Sequence, residues 1–187
     1  MIALVLIVPI AAAVIWGVVT HNRLVSLGNA CDNAEQRVAT QLQRRFDLIP
    51  NLVETVKGYA RHESGTLRSV IVARSAGRAA LAIGDTADAV KADDSMTRSL
   101  GVTLNAIAES YPDLKADKGF LSLQSELTST ENEVAFARQA FNDAVLAYDN
   151  AVEMFPSSVI AHLFRFETRL GFAIEDDAAK GAPKVEF

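Results

Sequence analysis

Residues 2–20 are apolar or small almost without interruption and contain no Lys, Arg, Asp or Glu. As a helix, nineteen residues reach about 29 Å, the thickness of a bilayer's hydrocarbon core. Trp16, His21 and Asn22 stand at the downstream end, where amphipathic and polar side chains favour the water interface. Pro9 falls inside the run. Beyond Thr20 the spacing becomes helical and amphipathic. Phe120, Leu123, Leu127, Thr130, Val134, Ala137, Phe141, Ala144, Tyr148, Ala151 and Phe155 alternate steps of three and four, with charged and amide residues between them. That is one dry stripe on a long helix. A similar seam runs through Cys31, Val38, Leu42, Ile49, Leu52, Val56 and Tyr59, interrupted by Glu35 and Arg45.

Between these long elements the pattern predicts two shorter helices. One covers 64–83 and is ended by Gly84. The other, with Asp85 as cap, covers 86–110 and stops before Pro112, because a residue preceding proline is pushed out of helical geometry. Period-two strand patterns and short repeats are absent from the sequence. The predicted fold is all-α: an N-terminal transmembrane helix (1–21) continuing into an elongated antiparallel four-helix bundle (22–156) of two long and two shorter helices. An apolar membrane-proximal segment and tail (157–187) follow. The long helices, 22–62 and 117–155, are both about 60 Å, so the second returns the full length of the first. Its end lands near the bilayer, followed by Val159, Ile160, Leu163, Phe164, Phe166, Leu170, Phe172 and Ile174. This cluster is suited to the headgroup layer, to a neighbouring subunit or to the core of its own bundle. Pro50 lies inside the first long helix and predicts a kink over 46–51.

Composition narrows the function classes. The chain has 187 residues, a 50% hydrophobic share and a net charge of −5, which describes a folded chain with no electrostatic footprint for nucleic acid. A lone cysteine, Cys31, rules out an intrachain disulfide, and its place on the seam predicts a buried thiol. The rival to a membrane anchor is a cleaved signal peptide. It is disfavoured because no basic residue precedes the apolar run and apolar character continues past Ala11–Ala13. Arg23 and Arg37 follow the span, so the positive-inside rule places the N-terminus outside and the bundle in the cytoplasm.

The search for catalytic chemistry is nearly empty. His62-Glu63 begins a zinc-protease pattern, but Thr66 occupies the place of the second histidine. Cys31 and His62 would lie ~46 Å apart on one continuous helix, too far to cooperate. No catalytic, cofactor or metal residues are therefore assigned. The adjacent acids Asp93-Asp94 and Glu175-Asp176-Asp177 read as solvated surface. Arg44-Arg45 differs, because Arg45 falls on the seam and a buried charge must be paired. Glu131 and Glu133 are the expected partners, with a register role; phosphate binding is the alternative.

The strings around these residues resemble a known family. RRFDLIPNLVETVKGYARHE (44–63), YPDLKA (111–116), FLSLQSELTSTEN (120–132), AFARQAFN (135–142), Phe155-Pro156, Phe164-Arg165-Phe166 and the terminal KVEF are similar, in order, to landmarks of the bacterial LemA family. Phe46 and Phe141 stand where that family often has tyrosine, and the stretch 170–177 is less aromatic. The resemblance implies a single-pass membrane protein of the inner membrane with an extended helical bundle. It also implies roles in envelope stress, membrane protein quality control or organelle-like assemblies, and carries over no catalytic residues. It draws attention to Asp47, Pro50, Asn51, Glu54, Lys57, Asn132, Arg138 and Asn142, whose bland roles are register, turn and capping. With Arg44, Arg45, Phe164 and Phe166 these are the structural or interaction candidates. The function expected is a non-enzymatic, membrane-anchored scaffold that forms homo-oligomers on the lipid bilayer. The alternative is an adaptor that presents partners, other membrane proteins among them, to a membrane protease or another envelope complex, using an exposed surface groove lined by Arg44, Asn51 and Glu54.

Overall fold

The computed structural model describes residues 2–59 and 67–172. Among them the order is α1 (Ile2–Tyr59), α2 (Arg68–Ala82), α3 (Thr86–Ser110), α4 (Pro112–Lys115), α5 (Lys118–Glu153) and α6 (Ser157–Leu163), with no strand. The apolar N-terminal run and the first bundle helix form one continuous helix of 58 residues, about 87 Å long. No break separates them at position 21. His62, Glu63, the predicted helix start at Ser64, Ile174, Glu175-Asp176-Asp177 and the terminal KVEF lie outside the described residues.

The long helices α1 and α5 pack along each other, and α2 and α3 form a hairpin against α1. The predicted seam of α1 is buried from Cys31 to Val56, with Phe46 and Val53 added, while Tyr59 is exposed. On α5 the dry stripe holds through Phe120, Leu127, Thr130, Val134, Phe141 and Tyr148, with Val145 and Val152 joining it. It ends earlier than expected. The helix stops at Glu153, and Phe155 turns out to solvent.

Helix ends follow from local chemistry. Gly84, at φ +79°, occupies the left-handed position after α2, and Asp85 N–H and Gly84 N–H donate to the carbonyls of Ala80 and Leu81. This double closure satisfies the carbonyls that a helix C-terminus leaves free. Asp85 then caps α3 by accepting from Asp88 N–H, as the sequence predicts, and Asp117 caps α5 by accepting from Phe120 N–H. Tyr59 Oη donates to the same Asp117 at 3.0 Å, tying the far end of α1 to the start of α5. After α6 an analogous closure uses Arg165 at φ 60°, a residue with a Cβ where glycine is usual; Phe166 N–H reaches Ala161 O at 2.9 Å.

At Pro50 the helix runs through 46–51 without interruption. Proline lacks the N–H that would reach the carbonyl four residues back, that of Phe46. Arg74 of α2 supplies the missing donor, its Nε donating to Phe46 O at 2.7 Å. The lost helical bond becomes a tertiary one.

Candidate functional site

Two groupings concentrate the chemistry of this chain, one halfway up the rod and one at its base. The first is built on Arg45, which is only 2% exposed. Its seam position carries it inward between α3 and α5. There Nη1 donates to Asp93 Oδ2 at 2.6 Å and Nη2 to Glu131 Oε2 at 3.0 Å. One expected partner is therefore present, and Glu133 is exposed instead. Arg138 Nη1 donates to Asp94 Oδ1 at 2.8 Å. The backbones of α3 and α5 do not pack together among the described residues; these side chains span the gap. A cavity of about 250 Å³ lies among them, lined by Arg45, Asp93, Asp94, Glu131 and Arg138 with apolar neighbours from α5.

Asp93 overturns the expectation of a solvated acid. Its side chain is 3% exposed, and burial pushes its carboxyl up to about 6, against the opposing pull of Arg45 and with help from Asp94 and Glu131. Arg45 Nε and Asp93 Oδ1 are buried without hydrogen-bond partners, so the pair is not fully compensated. A signal for Asp93 exists in the sequence: Thr86, Ala89, Val90, Asp93, Met96, Leu100, Leu104 and Ile107 are all buried on one face of α3. The acid sits on that stripe as Arg45 sits on its own. Asp94 is one residue round the helix, which explains how neighbours reach different arginines.

The other candidates separate by face. Arg44, Pro50, Asn51, Glu54, Lys57 and Asn132 are exposed. Asp47 is also exposed, accepting from Gln43 Nε2 at 2.9 Å and pairing with Arg78 of α2. Arg44, Asp47, Asn51 and Glu54 recur at steps of three and four and so share one outward stripe of α1. Cys31 is fully buried, and burial raises its thiol away from the reactive range. Among the described residues no group of three or more His, Cys, Asp or Glu is placed to hold a metal ion.

At the base of the rod α6 packs on α1. Ile160 and Ala161 are buried; Ile160 Cδ1 would stand 3.5 Å from a Cβ at Gly17. The rings of Phe164 and Phe166 meet His21 edge-on at 4.6 and 5.5 Å between centroids. The chain then turns back up the rod. Arg169 pairs with Asp32 of α1 and lies over the Tyr148 ring, while its N–H donates to Asp149. Asn142 grips Phe172 by two bonds, Nδ2 to O at 3.0 Å and N–H to Oδ1 at 2.8 Å. Of the three destinations open to the apolar C-terminal cluster, its own bundle therefore takes Phe166 and Phe172, while Leu170 between them is exposed. The stretch 154–164 keeps an exposed apolar face.

Residues 34–187 match the family model described as the LemA family. The chain is also 25% identical over 140 residues to Protein LemA of Metamycoplasma hominis; the match takes in 75% of this chain and 63% of that protein. The N-terminal half of α1 passes, by length and composition, as a helix able to cross a membrane, consistent with a single-pass membrane protein.

Proposed function

The chain belongs to the LemA family, and from that premise we propose a non-enzymatic, membrane-anchored helical scaffold that self-assembles at the bacterial inner membrane. The observation that carries the reading is the continuity of α1. One uninterrupted helix joins an ion-free run to a stalk; α5 returns along it, and α6 with the residues after it meets it at Gly17 and His21. In this reading residues 2–20 span the bilayer. Arg23 and Arg37 hold the stalk on the cytoplasmic side, leaving the N-terminus outside. Self-association is supported by large apolar side chains on the outer faces of the rod: Phe136 is 69% exposed and Leu146 61%. The test is the mass of the full chain in several mild detergents and in lipid nanodiscs. Concentration-dependent oligomers weakened by Phe136→Ser are expected, and a monomer throughout would overturn self-assembly.

The adaptor reading is favoured by a separate observation: Arg44, Asn51 and Glu54, which it requires to be accessible, all face outward. A photocrosslinker at Asn51 in living cells separates the two. Self-contacts alone support the scaffold, whereas a recurring membrane protein partner supports the adaptor.

A further inference from the structure

The turn from α5 into α6 carries an exposed apolar surface. Phe155 is 82% exposed and Leu163 71%, with Met154, Val159 and Phe164 each more than half exposed. Its inner face is already used, because Ile160 and Ala161 are buried where α6 meets α1. The outer face has no such cover among the described residues.

Its height along α1 identifies what covers it. Ile160 meets α1 at Gly17, three residues before the ion-free run ends at Thr20, or about 4.5 Å inside that boundary. Phe164 meets α1 at His21, one residue beyond the boundary. The turn thus straddles the level where hydrocarbon gives way to headgroups. Below it, Ile10, Val14 and Val18 of α1 are exposed, and together with Leu163 and Phe164 they wall a groove of about 600 Å³ whose one polar side chain is His21. An apolar groove at this depth attracts acyl chains and not water.

We infer that the α5–α6 turn is a second membrane contact: it seats Phe155, Val159 and Leu163 in the interfacial layer of the leaflet the stalk leaves, with lipid acyl chains filling the α1–α6 groove. This rests on the anchored reading above and deepens it. A single spanning helix leaves a stalk free to tilt. A second contact to one side of that helix restrains the tilt, and so sets how the polar stripe at Arg44, Asn51 and Glu54 is held above the membrane.

The chain has one tryptophan, Trp16, which makes the test direct. The full protein is reconstituted at low density in phosphatidylcholine vesicles containing lipids brominated at shallow acyl positions. Wild type reports on the anchor through Trp16. The double variant Trp16→Phe, Phe155→Trp, and a second with Leu163→Trp, report on the turn, with circular dichroism confirming unchanged helicity. The expected result is that tryptophan emission at 155 and 163 is blue-shifted and loses as much intensity to the brominated lipid as Trp16 does. Quenching of Trp16 with none at 155 or 163, where aqueous iodide quenches instead, overturns the inference and leaves the anchor standing. No lipid quenching at any position removes the anchor and the inference together. Lipid quenching that disappears as protein density rises assigns the surface to a second copy and overturns the proposal.

Discussion

Replacing Asp93 by asparagine should make the protein more stable at neutral pH, although it removes one half of a buried ion pair. Burial raises the Asp93 carboxyl from its ordinary 3.8 to about 6. Between those values the folded chain binds a proton that the unfolded chain does not. Stability therefore falls as pH rises through this window, and the group's contribution is most favourable below pH 4. At ~1.36 kcal/mol for each pH unit, the ionised carboxylate costs about 3 kcal/mol at pH 7 relative to its protonated form. Asparagine copies the protonated form: its oxygen still accepts from Arg45, and Glu131 still neutralises the guanidinium. Denaturant unfolding of the full chain in mild detergent, followed by circular dichroism from pH 4 to 7.5, gives the curve for each protein. The other carboxylates, including Asp117, held low by the N–H of Phe120 and the hydroxyl of Tyr59, cancel in the difference. Asp93→Asn should match wild type near pH 4 and exceed it by up to about 3 kcal/mol at pH 7. Asp93→Ala, which removes the acceptor as well and leaves Arg45 Nη1 unpaired, should be less stable than Asp93→Asn by ~1–3 kcal/mol. A difference between wild type and Asp93→Asn that stays flat with pH, or that favours wild type more as pH rises, would mean that Arg45 outweighs desolvation, and the argument fails.

Gly77 of α2 lies where a Cβ would overlap the ring of Phe46, itself fully buried. Gly77→Ala should lower stability by roughly 1–3 kcal/mol despite its better helix propensity, with Phe46→Leu restoring part of the loss in thermal melts. Because Arg74 replaces the donor that Pro50 lacks, Arg74→Ala should cost ~1.5–3 kcal/mol in wild type and clearly less in Pro50→Ala. Equal costs in the two backgrounds of that double-mutant cycle would break the link. Arg165→Gly should raise the melting temperature by relieving a left-handed residue, a gain of about 1 kcal/mol; an unchanged or lower value would count against strain there.

The elements were legible because each carries its own signal: an ion-free run, a seam with steps of three and four, and a cap at Asp85. The partial reading of the polar site has a physical cause. Arg45 stood out as a charge interrupting an apolar seam, and Glu131 followed as an acid on the facing helix. Asp93 was missed because α3 is rich in Ala, Ser and Thr, so its buried stripe contrasts weakly with its wet side and the acid looked like more surface. Phe155 failed in the opposite way. It continues the spacing of α5, yet the helix ends two residues earlier, and periodicity alone does not say where a helix stops. Arg165 carries no signal either, since the left-handed position it fills is one that sequence assigns to glycine.

A buried pair that costs stability at neutral pH needs another reason to stand where it does, and the division of the fold supplies one. The α1–α5 pair is held by a continuous dry stripe. The α2–α3 hairpin, in contrast, is joined to that pair at four arginines as well as by apolar contact: Arg74 to Phe46 O, Arg78 to Asp47, Arg45 to Asp93 and Arg138 to Asp94. An apolar seam tolerates a slip of one helical turn, about 5.4 Å, because each turn presents similar side chains. A guanidinium held by two carboxylates does not tolerate it. If register is the role of the cluster, the variant Arg45→Met with Asp93→Leu should be at least as stable as wild type at pH 7 and yet less uniquely packed. Spin labels at the exposed positions Gly101 on α3 and Asn132 on α5 read this out by pulsed electron resonance. Wild type should give one narrow distance distribution and the apolar variant a broadened or divided one. A narrow distribution in both would assign register to the apolar core alone and leave the cost of the Arg45–Asp93 pair without a structural return.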